Sequence, residues 1–222
     1  SSEEYDALKP IQWPVWDKNQ SNTKVSRLFS DGKFSHADGK AKFIATLAKD
    51  PIHQISAEYP LILNTGRIRD QWHTMSRTGL SANLASHRAE PYCEIHPNDA
   101  LKYGIGDTAL VEVRSKWGVS VLRAQLSNDI RRGQVFAPIH WNDQVASDAR
   151  IGKVVNPVVD PISGEPEFKH TPVMIQPFYT HWQGVLYVRT GFESYIEKSI
   201  QNTVWWTKIR TSHAFRYELA DR

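Results

Sequence analysis

The run Asn64-Thr65-Gly66-Arg67-Ile68-Arg69-Asp70-Gln71-Trp72-His73-Thr74-Met75-Ser76-Arg77-Thr78-Gly79 concentrates more ligand-binding chemistry than any other stretch of the 222 residues. Glycine lets backbone N–H groups come close to an anion, and the Thr65 hydroxyl beside Gly66 adds a donor. Arg67, Arg69 and Arg77 carry guanidinium forks that match phosphate oxygens. Trp72 and His73 offer flat faces for stacking on, or bonding to, a heterocycle. Such a set suits a dinucleotide-like ligand, with donors for a pyrophosphate and planar groups for its rings. The same residues equally describe a polar surface loop whose arginines pair with neighbouring acids such as Asp70.

Two further polar stretches have the character of strand-end loops, a common place for ligand contacts. Ile139-His140-Trp141-Asn142-Asp143 follows the apolar run ending at Phe136-Ala137-Pro138. The turn-rich Asp160-Pro161-Ile162-Ser163-Gly164-Glu165-Pro166-Glu167-Phe168-Lys169-His170 presents Lys169 as a phosphate or ring contact, although solvated lysines are commoner.

Other chemistries find little support. The nine histidines include no H-x-H or H-x-x-x-H pair, so no metal site is expected. No G-x-S-x-G elbow is present for a serine hydrolase. Cys93, in an expected strand Tyr92–Ile95, reads as a small buried hydrophobe. As the only cysteine, it also excludes an internal disulfide or a four-cysteine iron–sulfur cluster held by this chain alone. That fits a reducing compartment, and a cytoplasmic location is expected. No membrane span is expected, since no apolar run is long enough. The acidic opening Ser1-Ser2-Glu3-Glu4 without an initiator methionine suggests a cut or processed chain.

The elements that must position these groups are mostly short strands. Pro60–Asn64 is a buried strand, with Thr65-Gly66 as a tight turn after it. Tyr92–Ile95, Asp107–Ser115, Val119–Leu126, Gln134–Ile139 and, last, Thr171–Ile175 read as strands, with Lys116-Trp117-Gly118 closing a hairpin. His96–Gly104 reads as a helix, with proline in its first turn and glycine after its end. Asp38-Gly39 before Phe43-Ile44-Ala45-Thr46-Leu47-Ala48 predicts a strand over Lys40–Ala48. The fold class is mainly β with short helices and a β-barrel core. Residues 1–58 form a lead-in packing on the barrel, 59–177 the barrel, and 178–222 an aromatic-rich extension. Aromatic density in that extension implies packing against the rest of the domain or a partner.

With 27 Lys and Arg against 24 Asp and Glu, the net charge of +3 lacks the concentrated excess of a dedicated nucleic-acid binder. A free-standing barrel for a nucleotide or single-stranded nucleic acid is the alternative that basic residues beside Trp and Tyr suggest. Near-balanced charge argues against it.

Taken in order, these segments resemble the C-terminal domain of bacterial molybdenum oxidoreductases of the dimethyl sulfoxide reductase superfamily, with assimilatory nitrate reductases the nearest in look. The carriers are Leu63–Arg67 continuing through Arg69–Gly79, Glu94–Ala100, Phe136–Trp141, Asp160–Gly164 and Phe168-Lys169. Tyr5–Pro14 and Arg216–Ala220 add to them, so the likeness covers nearly the whole chain.

The resemblance implies a double-psi β-barrel clamping bis(molybdopterin guanine dinucleotide) with its molybdenum, in an enzyme that reduces nitrate to nitrite. It assigns Thr65, Gly66 and Arg67 to the cofactor's phosphates or nucleoside, Gln71, Trp72, His73 and Thr74 to the pterin side, and counts Arg69 among the cofactor-binding residues. Ile139, His140 and Trp141 would lie near the cofactor or the substrate funnel, and Lys169 would be a further contact. The chain departs from the family at Gly152, where relatives carry an asparagine; Asn156 is the alternative alignment. The implied partners are upstream domains of the same polypeptide, which hold an iron–sulfur cluster and the metal ligand, together with nitrate and an unspecified electron donor. A formate dehydrogenase or another molybdopterin oxidoreductase shares the fold and cofactor. This chain alone is expected to be inactive.

Overall fold

The structure, a computed structural model, describes residues 1–8 and 27–222. The chain divides into two compact units, Ser1–Lys49 and Asp50–Arg222. In the first, helix α1 (Ser2–Asp6) is closed by a capping box between Ser1 and Glu4. The strand expected at Lys40–Ala48 is absent: the segment has no regular structure, and Phe43 and Leu47 are exposed. A β-ladder is an inter-strand property, and an apolar run without a hydrogen-bonding neighbour does not make one. Pro10, Trp13, Pro14 and Trp16 lie outside the described residues, as does most of the Tyr5–Pro14 match.

The second unit is built on a closed barrel. Its strands are β1 (Leu61–Gly66), β2 (Tyr92–Ile95), β3 (Leu110–Arg114), β4 (Val119–Leu126), β5 (Gln134–Pro138) and β6 (Thr171–Pro177). Around the barrel they run β1-β5-β2-β4-β3-β6. Two neighbouring pairs are parallel, β1 with β5 and β2 with β4, and the other four are antiparallel. The β3–β4 hairpin turns at Lys116–Gly118, as its sequence predicts. Inward-facing Leu63, Ile95, Val111, Val113, Leu122, Val135 and Ile175 fill the interior almost without exposure.

Local signals account for much of this. Helix α3 (Pro97–Tyr103) starts on Pro97 and ends on Gly104 at φ +68, the left-handed conformation that glycine adopts without penalty. One expected turn is instead strand: Thr65 and Gly66 continue β1, paired with Ala137 and Pro138 of β5. Glycine here serves close approach rather than reversal, because a Cβ at Gly66 would sit 3.0 Å from the Phe136 ring. Helix α2 (Ala82–His87) and a 3-10 turn at Thr78–Leu80 follow the loop after β1.

Thr171–Ile175 is not the last strand. Residues beyond it form an antiparallel sheet of β7 (Trp182–Arg189), β8 (Trp205–Arg210) and β9 (Ala214–Asp221), in order β7-β9-β8, with helix α4 (Glu197–Gln201) between β7 and β8. Barrel-derived residues extend its β8 edge: Ala146 bridges Thr207, and the Lys208 N–H donates to the Val145 carbonyl at 2.7 Å. No helix among the described residues is long and apolar enough to cross a membrane.

Cys93 lies fully buried on β2, and burial pushes its thiol pKa well up. It should therefore ignore a thiol reagent such as DTNB in the native protein and react stoichiometrically in guanidinium. Rapid native labelling would contradict the inert reading.

Candidate functional site

Barrel topology brings the three polar segments to one end. Because β1 and β5 are parallel and in register from Ile62–Gln134 to Gly66–Pro138, the loops that follow them leave side by side. Strand β6 runs antiparallel to β1 with Thr171 opposite Leu63, so residues just before β6 meet the end of β1. Loops 67–79, 139–143 and 160–170 thus converge, although about 100 residues separate the first from the last. The Ile139 N–H donates to the Gly66 carbonyl at 3.0 Å, stitching the first two together at their roots.

Buried His140 ties them again further out. The Ile68 N–H donates to His140 Nε2 at 2.9 Å, so that nitrogen carries no proton. His140 Nδ1 must then hold the ring proton, which it donates to the His73 carbonyl at 2.5 Å. Desolvation, opposed by the bond to His73 and reinforced by Arg67 and His73, pulls the His140 pKa below the ordinary imidazole value. Asn142 Nδ2 donates to the next carbonyl, that of Thr74, at 3.1 Å. At and just beyond these ties the backbone takes positive φ, at His73 (+40) and Met75 (+61). Such conformations persist in non-glycine residues only where the surroundings over-determine them. The Met75 side chain, anchored in the core, is one such constraint.

The other side of loop 67–79 is tied to α2. Arg69 makes a two-pronged contact with Asp70, both bonds at 3.1 Å, and His87 Nδ1 lies 2.5 Å from the same carboxylate. The Arg69 hydrogen bond, aided by the charges of Arg69 and His87, holds the Asp70 carboxyl below its usual range. Gln71 is buried: its Oε1 accepts from Thr78 Oγ1 at 2.7 Å and its Nε2 donates to the Leu84 carbonyl.

The twelve sequence candidates accordingly fall into two groups. Arg67, Trp72, His73, Thr74 and Lys169 face solvent at the convergence, with the Trp72 and His73 rings edge-to-face at 4.5 Å. The Lys169 ammonium donates to the Thr65 carbonyl and lies 4.9 Å over the Phe168 ring. Arg69 is exposed but engaged by Asp70. Thr65, Gly66, Gln71, His140 and Trp141 are buried, and Ile139 is half-buried. The Thr65 hydroxyl donates to the Phe168 carbonyl at 2.6 Å, while Trp141 belongs to the core. These buried residues shape the site from behind and present backbone or nothing to a ligand.

Gly152, where the resemblance implies an asparagine, is exposed on the 3-10 turn Ile151–Lys153. Asn156 is buried and fully used: its Nδ2 reaches the carbonyls of Glu167 and His170, and its Oδ1 accepts from the Val158 N–H. It pins loop 160–170 instead of reaching outward. Asn142 and Phe136 also take part; they lie in the stretches Ile139–Asp143 and Phe136–Trp141 but are not among the twelve candidates. Asn142 sits two residues after His140, in the same strand-end loop. Among the described residues no group of three or more His, Cys, Asp or Glu could hold a metal ion.

This end of the barrel therefore carries exposed cations and rings around a side-chain-free strand terminus, on a rigidly tethered loop. The profile of the molydopterin dinucleotide binding domain matches residues 61–172, which takes in all three converging segments. A nitrate reductase of Klebsiella oxytoca is 40% identical over 189 residues, covering 85% of this chain and 21% of the relative. The assimilatory nitrate reductase catalytic subunit of Bacillus subtilis is 36% identical over 169 residues, covering 75% and 23%. Formate dehydrogenase H of Escherichia coli is 33% identical over 168 residues, also covering 75% and 23%. The chain thus spans between a fifth and a quarter of the length of these relatives. It belongs to the molybdopterin dinucleotide binding domain family of the molybdopterin oxidoreductases.

Proposed function

We propose that this chain is the C-terminal cofactor-binding domain of a molybdenum-dependent nitrate reductase and forms one wall of the site for bis(molybdopterin guanine dinucleotide). The convergence of loops 67–79, 139–143 and 160–170 at one barrel end carries the reading. The two parallel strand pairs of the closed barrel support the double-psi form of the fold.

The residues fit such a group. A Cβ at Gly66 would fall 3.0 Å from the Phe136 ring and 3.4 Å from Lys169 Nζ, so the missing side chain lets the ring and a cation pack directly against the end of β1. Arg67 and Lys169 would face the phosphates or nucleoside there. Trp72, His73 and the backbone of Gln71 and Thr74 would face the pterin side. When bound, the cofactor's molybdenum supplies the two-electron chemistry that turns nitrate and two protons into nitrite and water. This chain's part is to bind, orient and exclude water. Upstream domains of the same polypeptide would hold the metal ligand and an iron–sulfur cluster, which one cysteine cannot supply. An assimilatory role in the cytoplasm belongs to the same reading, supported by the Bacillus subtilis relative.

The test is made in the enzyme that carries this chain. Arg67→Ala and Trp72→Ala should each lower molybdenum and guanine-nucleotide content several-fold, with nitrate reduction falling in parallel. Unchanged occupancy in both variants would remove the site assignment. The formate dehydrogenase relative supports a second reading, and formate oxidation without nitrate reduction by the wild-type enzyme would favour it.

A further inference from the structure

We propose that His140 is a positioning residue, holding the backbone of loop 67–73 in its ligand-ready form from behind rather than touching cofactor or substrate itself. The inference rests on the cofactor-binding reading, because it is that loop's exposed face the histidine serves. His140 is wholly buried, yet both ring nitrogens are engaged by the backbone of one loop, five residues apart. A histidine buried only to fill space would not need to accept at one nitrogen and donate at the other. The two atoms it holds, the Ile68 N–H and the His73 carbonyl, bracket the segment that displays Trp72 and begins next to Arg67.

The bond to the His73 carbonyl ends where the backbone turns through positive φ at His73, and the Asn142 bond to the Thr74 carbonyl grips the following residue. A strained backbone released from these contacts relaxes. The Trp72 and His73 rings would then lose their fixed placement, although the barrel beneath would remain folded. Phenylalanine in place of His140 fills the same space without either bond. Glutamine can both accept and donate.

The titratable groups facing His140 are Arg67 and His73, both from the loop after β1. Protonation of His140 would put a donor on Nε2 against the Ile68 N–H and break that bond. Because burial disfavours the charged ring, this local structure is present above the ordinary imidazole range and is lost as pH falls through the depressed folded-state pKa.

Hydrogen exchange of peptides covering Ile68, read with molybdenum and guanine-nucleotide content in the enzyme carrying this chain, tests the proposal. His140→Phe should speed Ile68 exchange about tenfold, the effect of one lost hydrogen bond, and lower occupancy several-fold. His140→Gln should restore much of both, and Asn142→Ala should mimic the loss in milder form. In the wild type, exchange corrected for its intrinsic pH dependence should step up below the imidazole range, and His140→Gln should lack that step. Unaltered Ile68 exchange in His140→Phe, or the same pH dependence in wild type and His140→Gln, would overturn the clamp. Faster exchange with full occupancy would overturn its service to binding. Should His140→Phe not fold, Asn142→Ala and the pH comparison decide. Arg67→Ala separates the two ideas: it leaves the clamp bonds intact, so loss of occupancy at normal Ile68 exchange supports the cofactor site independently of His140.

Discussion

Gly118→Ala should destabilise the barrel by about 3 kcal/mol, at the upper end of ordinary overpacking effects. The methyl group would lie 2.3 Å from the Lys153 carbonyl oxygen and 3.0 Å from its carbon, both backbone atoms that no rotamer change can move aside. The contact is tight because the β3–β4 turn is docked, not merely adjacent. Ser115 Oγ donates to the Val154 carbonyl at 2.6 Å while accepting from the N–H groups of Trp117 and Gly118. Relief would require moving either the hairpin or the 3-10 turn that seats Ile151 and Val154 in the core. For a domain of this size that loss lowers the thermal midpoint by on the order of 10 °C. Gly152→Ala is the matched control, since a Cβ there meets nothing within 4 Å. It should change stability by less than about 0.5 kcal/mol. Calorimetry that finds both variants alike would refute the packing argument.

That turn also illustrates what can be read from a sequence and what cannot. Trp117-Gly118 between two alternating runs marks a hairpin, but nothing local reveals that Lys153 closes over it. The same division holds at the candidate site. Each of its three segments stands out by composition: glycine with arginines, a His-Trp-Asn strand end, a turn-rich loop with a lysine. Their convergence is a property of the parallel β1–β5 pair and of β6 returning beside β1, neither of which composition encodes. The run of short strands points to a β-barrel core, and the family resemblance, carried by long motifs, adds the expectation of its double-psi form. His140 is the sharpest case, because its function depends on contacts across 72 residues of sequence.

The misread elements have equally physical causes. Thr65-Gly66 reads locally as a tight turn, whereas a parallel ladder with an aromatic ring across it requires the missing Cβ at Gly66. Strand β7 exposes nearly every residue, so it lacks the in–out alternation by which a half-buried strand is recognised. The run at Lys40–Ala48 has strand-like residues but no ladder partner among the described residues.

Trp205 carries the largest single contribution expected in the C-terminal sheet, and Trp205→Ala should cost about 3–5 kcal/mol. Its side chain is fully buried between barrel and sheet, packed with Leu110, Val121, Ala220 and Phe178. Its indole N–H donates to the Val121 carbonyl at 3.0 Å, and the Arg123 guanidinium lies 5.0 Å over the ring. Arg123 is itself held by Glu90 at 2.7 Å and by Gln183 of β7, so the tryptophan sits under a cation fixed from both sides. Removing the indole opens a cavity, strands a carbonyl and uncovers that cation at once. Trp205→Phe keeps much of the volume and loses mainly the hydrogen bond, for a smaller loss of about 1–2 kcal/mol. The cavity sits at the seam, so the sheet should loosen before the barrel does. Hydrogen exchange in Trp205→Ala should rise first across β8 and β9, while β1 and β5 stay protected. Uniform loss of protection over both layers would show that barrel and sheet unfold as one unit, and would sink the idea of a separable seam.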